Sequence, residues 1–226
     1  TEFYDRLRDD PSFPTTAQAS ELEFQELLTS VGADAEEGVL VMVLSGELSG
    51  TLNSATQARK LLPEMQIEIV DTRTMAMAMG YVVLAAARAA EKGKSLAECA
   101  QLARDMLDKV GVLITVDTLD YLHRGGRIGG ASKVLGNTLK LKPVLTVKDG
   151  VVAEAGKVRT RTKAIKHVVD SVCAAVEGKH NIRLAALHAA APDDAAVMLK
   201  MASERVNPVE KHLAELSPVV GAHVGP

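Results

Sequence analysis

Residues 44–55 read Leu-Ser-Gly-Glu-Leu-Ser-Gly-Thr-Leu-Asn-Ser-Ala and sit between an apolar run and a helical pattern. A buried strand, a glycine-rich turn and a helix N-terminus together aim free backbone N–H groups at one point. Ser45, Ser49 and Thr51 add hydroxyl donors. That chemistry suits a carboxylate or a phosphate. The segment has no P-loop lysine, which disfavours a nucleoside triphosphate. It also lacks the Gly-x-Ser-x-Gly spacing of a hydrolase elbow. A tight turn with a Ser or Thr cap would give the same pattern, so both readings stay open.

Three other features could carry charge or protons. Arg124-Gly125-Gly126-Arg127-Ile128-Gly129-Gly130 sets Arg127 between glycine pairs, as an anion or partner contact or as a solvated connector. Lys157-Val158-Arg159-Thr160-Arg161-Thr162-Lys163 puts positive charge just before a helix, against its dipole. A docking patch for an acidic partner and a solvated face both fit it. Among six histidines, His223 follows the last apolar run and could donate to a carboxylate, although spacing alone does not single it out. A hydrolase using Ser45 or Ser49 as nucleophile with His223 as base is the enzymatic alternative. It has no assignable orienting acid or oxyanion hole, so no catalytic residue is expected. An interaction scaffold or phospho-ligand sensor is a third reading. Neither HExxH nor CxxC occurs, so no metal site is expected, and Cys99 and Cys173 read as buried small hydrophobes.

The elements that must position these residues alternate between strand and helix. Ser20-Glu21-Leu22-Glu23 has capping-box form and opens a helix to about Thr29. Val39–Leu44 is a continuous apolar run, the look of a parallel strand covered on both faces. A helix over 51–62, a strand over 67–70, and helices over 76–91 and 95–109 follow. Beyond Gly111 a strand over 112–116 and a short helix lead into the glycines, and 131–139 reads as helix. Asp149-Gly150 between 143–147 and 151–155 signals a hairpin. A helix over 162–176, a strand over 182–188, a helix over 193–206 and a last strand over 218–222 complete the chain. The fold class expected is α/β: a parallel-sheet α/β/α domain over 1–110, then a mixed-sheet α/β domain over 111–226.

Composition bounds the function. The chain has 226 residues, a formal charge of -3 and 24% charged residues, so no global basic field invites nucleic acid. Aromatics are 3% with no Trp, which leaves base-stacking platforms poorly supplied. No apolar run is long enough to span a bilayer and no signal-peptide pattern opens the chain, so a cytoplasmic location is expected.

Taken in order, these segments resemble the DegV family. The resemblance is carried by Ser45-Gly46-Glu47-Leu48-Ser49-Gly50-Thr51 with Asn53-Ser54-Ala55, Leu119-Asp120-Tyr121-Leu122 to Gly125-Gly126-Arg127-Ile128, Leu141-Lys142-Pro143-Val144-Leu145, Asp149-Gly150 and Lys157-Val158-Arg159-Thr160. It runs from about Phe3-Tyr4 to His223-Val224-Gly225-Pro226. It implies a bacterial fatty-acid-binding protein of two α/β domains with one long-chain fatty acid between them, and no cofactor. Such a protein is not itself a catalyst. It presents the carboxylate to a separate fatty acid kinase, with at most transient membrane contact. Motif matching implies that Thr16, Ser45, Ser49, Thr51 and His223 hold the carboxylate and that Arg127 and Arg159 face the kinase. The family's Thr-Ser-Gln-Pro-Ser segment reads Thr16-Ala17-Gln18-Ala19-Ser20 here, one hydroxyl fewer. Its Asp-Ser after a later strand is Asp71-Thr72. Its leading strand, ending Thr-Asp-Ser-Thr, has no counterpart, so the first domain is expected to lack that strand.

Overall fold

A computed structural model describes residues 2–9, 13–132 and 141–226. In chain order, α1 (Glu2–Asp9) and α2 (Glu21–Gly32) precede β1 (Val39–Val43), α3 (Thr51–Lys60) and β2 (Ile67–Asp71). Two helices follow, α4 (Ala76–Ala90) and α5 (Leu96–Met106), then β3 (Leu113–Thr115) and α6 (Asp120–Arg124). The remainder is β4 (Lys142–Lys148), β5 (Val151–Val158), α7 (Arg161–Ala175), β6 (Arg183–His188), α8 (Pro192–Val206), β7 (Glu210–Glu215) and α9 (Pro218–Val224). The helix expected over 131–139 falls mostly outside the described residues.

The chain forms two compact units. One comprises Ala17–Val112 with Val147–Val151, the other Thr1–Thr16, Leu113–Thr146 and Val152–Pro226. This partition differs from a single cut at residue 110, because residues 1–16, 111–112 and 147–151 change sides. The reasons are specific contacts: Tyr4 donates to the Leu216 carbonyl at 2.8 Å, and the Gly150 carbonyl accepts from Ser45 at 2.7 Å.

The unit built on Ala17–Val112 is a three-layer sandwich. β1 and β2 pair in parallel, Val39 opposite Ile67 through Val43 opposite Asp71. Strand alternation sends Leu40, Met42 and Val70 to one face, where Val82, Ala86, Ala100 and Ala103 of α4 and α5 cover them. Val39, Val41, Ile67 and Ile69 face the other way, onto Phe24, Leu28 and Ala58 of α2 and α3. Buried alanines let the helices approach the sheet closely. Both α2 and α5 begin with the complete capping box, Ser20 with Glu23 and Ser95 with Glu98.

The other unit carries both strand senses in two sheets. β3, β4 and β5 lie in that order, with β3 antiparallel to β4. Asp149 (φ 53°) and Gly150 (φ 85°) make the two-residue turn between β4 and β5, where positive φ matches the strand twist. β6 and β7 pair in parallel, and α7 and α8 pack Val169, Cys173 and Ala202 against Leu184. The last strand expected, over 218–222, is instead α9. Pro218 occupies the first turn, where its missing N–H leaves no bond unmade, and Ser217 precedes it in an extended conformation. Two further elements, α1 and β7, have no counterpart in the sequence-based reading.

Candidate functional site

In the first unit the turn after β1 is drawn inward by its own hydrogen bonds. Ser45 N–H donates to the Thr74 carbonyl at 2.9 Å, and the Ser45 carbonyl accepts from Leu48 and Ser49 N–H at 3.0 and 3.1 Å. Ser45 is 0% exposed. Its Oγ donates to the Gly150 carbonyl at 2.7 Å and accepts from Glu47 N–H at 3.3 Å. This hydroxyl therefore fastens the hairpin tip. Arg73 reinforces the tip by donating from Nη2 to the Asp149 carbonyl at 2.8 Å.

Ser49 and Thr51 differ from Ser45. They are half-buried, their hydroxyl oxygens lie 2.8 Å apart, and Ser49 Oγ also accepts from Thr51 N–H at 3.3 Å. Gly50 precedes α3 with no side-chain cap. Two hydroxyls thus stand at a helix N-terminus, where negative charge is favoured. Asp71, to which no binding role had been assigned, tempers the same turn: its carboxylate accepts from Gly46 N–H (3.3 and 3.4 Å) and Arg73 N–H (2.8 Å). A hollow of about 590 Å³, lined by Glu36, Glu37, Leu61, Pro63 and Met65 among others, lies where the chain enters β1 and β2. It is at the opposite strand ends from this turn, and its acidic rim is unsuited to an anion.

In the second unit Thr16 Oγ1 and His223 Nε2 lie 2.8 Å apart. His223 rides on α9, and Tyr4 of α1 holds the start of that helix. Tyr4 is 1% exposed. Burial, then the charge of Glu215, push its hydroxyl pKa up, so it stays a protonated donor to Leu216. The other side of the imidazole rests on Gly125, where any Cβ would collide with Nδ1. Nδ1 itself is buried without a hydrogen-bond partner. Burial, then the Arg127 guanidinium, hold the His223 pKa below the usual histidine value. Arg127 donates from Nη1 to the Gly125 carbonyl at 2.7 Å, half-buried beside the histidine. Around them Tyr121 donates to the Leu7 carbonyl at 3.2 Å, and the Arg124 guanidinium lies 5.8 Å from the Phe13 ring centroid.

A neutral imidazole paired with a threonine hydroxyl can offer hydrogen bonds to a carboxylate without a full counter-charge. The hydrolase arrangement finds no support. Ser45 donates to Gly150, Ser49 is engaged with Thr51, and His223 Nε2 is engaged with Thr16. Among the described residues no group of three or more His, Cys, Asp or Glu could hold a metal ion. Arg159 is exposed at the end of β5, next to Thr160, whose hydroxyl caps α7 by accepting from Lys163 N–H at 3.2 Å. Arg161, also in the basic run, is neutralised by Asp194 at 2.6 Å and Asp117 at 3.6 Å. Among the described residues no helix is long and apolar enough to cross a membrane.

Comparison with known proteins agrees with this architecture. The family profile described as "Uncharacterised protein, DegV family" matches residues 1–226. A DegV domain-containing protein of Clostridium perfringens is 32% identical over 99% of this chain and 80% of its own length. A DegV family protein from Thermus thermophilus, whose structure is described as showing fatty acid binding, superposes with a TM-score of 0.92 at 35% identity. That match covers 100% of this chain and 80% of the other. DegV from Bacillus subtilis, described as a fatty acid binding protein, superposes at 0.87 with 28% identity, over 99% of this chain and 79% of its own.

Proposed function

The chain belongs to the DegV family, and from that premise we propose that it binds a long-chain fatty acid and presents the carboxylate to a separate kinase in the cytoplasm. The observation that carries the reading is the Thr16–His223 pair at 2.8 Å, with a histidine held neutral. A buried carboxylate needs donors, since an unpaired buried charge is very costly. Thr16 and His223 are one such set. The Ser49–Thr51 pair at the start of α3 is the second in this reading, and each set has its own variant as a test. Ser45 acts as the fastener of the hairpin tip. Each buried methylene adds about 0.8 kcal/mol, so a long acyl chain contributes on the order of 10 kcal/mol before entropic losses.

Donors that leave the carboxylate without a fixed ion pair keep its oxygen nucleophilic. In the proposed partner reaction that oxygen attacks the γ-phosphorus of ATP, forming an acyl phosphate and releasing ADP. The kinase supplies the catalysis. Arg159, exposed, and Arg127, beside the histidine, are the proposed contacts with that partner. In this reading contact with a membrane is at most transient.

The test is native mass spectrometry of protein purified from bacteria, followed by denaturing lipid extraction. One fatty acid per chain is expected, with occupancy reduced at least tenfold in Thr16→Val and in Ser49→Ala. Protein that stays empty when incubated with fatty acid refutes the binding role. Retained lipid with no hydroxylamine-trappable acyl phosphate, when kinase and ATP are added, refutes the presentation role.

A further inference from the structure

By residue type alone, the turn after β1 suits a carboxylate or a phosphate. Its hydrogen bonds separate the two. A phosphate monoester is held by a nest of free backbone N–H groups around its oxygens. Here those groups are spent inside the chain. Gly46 N–H donates to Asp71, Glu47 N–H to Ser45 Oγ, Leu48 and Ser49 N–H to the Ser45 carbonyl, and Thr51 N–H to Ser49 Oγ. What the turn can still offer is the Ser49–Thr51 hydroxyl pair, with oxygens 2.8 Å apart. Two hydroxyls can turn to the two oxygens of a carboxylate, and they fall short of the three acceptor oxygens of a phosphate.

Charge points the same way. Asp71 is half-buried at the end of β2, and its Oδ1 accepts from Gly46 N–H at 3.3 Å and from Arg73 N–H at 2.8 Å. A Cβ at Gly46 would stand 3.3 Å from Asp71 Oδ2, so the carboxylate lies directly against the turn. Arg73 turns its guanidinium to the Asp149 carbonyl rather than to this carboxylate. Its backbone is left-handed (φ 49°), a conformation that persists where contacts over-determine it, and here it is held at both its N–H and its side chain. Glu47, exposed in the turn itself, adds a second negative charge. The start of α3 supplies only roughly half a positive charge against them.

We propose that Asp71 makes this turn a filter for singly charged head groups, which admits a carboxylate and refuses a phosphate monoester. The proposal rests on the reading of Ser49 and Thr51 as carboxylate donors. Repulsion from Asp71 grows in proportion to the charge on the ligand, whereas the donors stay at two.

Displacement of a fluorescent fatty acid tests this at about pH 8, where a phosphate monoester carries close to two charges. The competitors are hexadecanoate, hexadecyl phosphate, hexadecyl methyl phosphate (equally tetrahedral but singly charged) and hexadecanol. The parent should bind hexadecanoate about tenfold or more tighter than hexadecyl phosphate. Asp71→Asn can keep both Oδ1 bonds and removes the charge. It should tighten hexadecanoate and the methyl ester by about threefold and hexadecyl phosphate by about tenfold, with hexadecanol unchanged. Glu47→Gln, at an exposed position, should shift the same ratio in the same direction by less, because solvent screens it. It keeps the test valid if Asp71→Asn fails to fold. A parent that binds both head groups alike overturns the proposal, as does an Asp71→Asn gain that is the same for every competitor or absent for all. Hexadecanoate affinity that Ser49→Ala leaves unchanged refutes the donor reading, and the filter with it. Affinity lost in Ser49→Ala together with a charge-independent response to Asp71→Asn fells the filter alone.

Discussion

Replacing Gly221 by alanine sets two opposed effects against each other, and the structure decides the sign. Gly221 lies in the middle of α9. On helix propensity alone, Gly→Ala there should stabilise by about 1 kcal/mol. A Cβ at this position, however, would stand 2.5 Å from Tyr4 Cε1 and 2.6 Å from its hydroxyl. Tyr4 is 1% exposed, so the ring has no vacant volume to enter. Overpacking of this kind costs about 1–3 kcal/mol. A displaced ring also loses its bond to Leu216, about 1 kcal/mol more. The expected net loss is about 1–3 kcal/mol of unfolding free energy, read from urea titration. Release of α1 should accompany it, seen as faster tryptic cleavage at Arg6 and Arg8. In a Tyr4→Ala background the same substitution should become stabilising, because the obstacle is gone. A Gly221→Ala protein as stable as the parent or more so would refute the seating of α1 on α9.

Three further outcomes follow from the same contacts. Ser45→Ala leaves the buried Gly150 carbonyl and Glu47 N–H without their partner, and should lower stability by about 1–3 kcal/mol; a loss within error of zero by denaturant melting would sink the fastening role. His223 is held below the ordinary histidine pKa, so between the unfolded and folded values the unfolded chain binds the proton and the native chain does not. Stability should fall as pH drops below about 6.5 and level off beneath the folded value; a His223→Gln melting curve with the same pH slope would contradict this. The Lys94 ammonium and the Ser95 cap pull the Glu98 pKa down to about 2; its NMR titration midpoint should rise in Lys94→Ala, and an unchanged midpoint would remove the ion pair from the account.

Local physics was legible where the signal is local. The capping box at Ser20, the apolar run of β1 and the Asp149-Gly150 turn each declare themselves within a few residues, and each formed. β7 did not, because Glu-Lys-His-Leu-Ala-Glu is exposed on both faces and has no apolar alternation to betray a strand. Residues 218–222 misled for the opposite reason. Pro-Val-Val-Gly-Ala reads as strand on its branched residues, and the contact that favours helix, Tyr4 against Gly221, is far away in sequence. The proposed binding residues divide in the same way. The Ser49–Thr51 turn is visible in its own segment. Thr16 and His223 are 207 positions apart, and only likeness to a family brought them into one list before the fold did. Asp71 and Gly125 stand inside motifs visible in the sequence but with no role legible there, since each matters through what it touches.

The grip of α1 on the segment that leads into α9 spans 212 positions. On a ribosome adding about 5–20 residues per second, roughly 10–40 s separate the appearance of Tyr4 from that of Leu216. Until Leu216 is made, Tyr4 lacks the carbonyl to which it donates. The Ala17–Val112 stretch, whose contacts are nearer neighbours, can condense meanwhile. Thr16 waits over a comparable span, its partner His223 lying 207 positions further on. A chain stalled before Leu216 is translated would therefore have much of its nearer-neighbour packing in place while Tyr4 and Thr16 still lacked their partners.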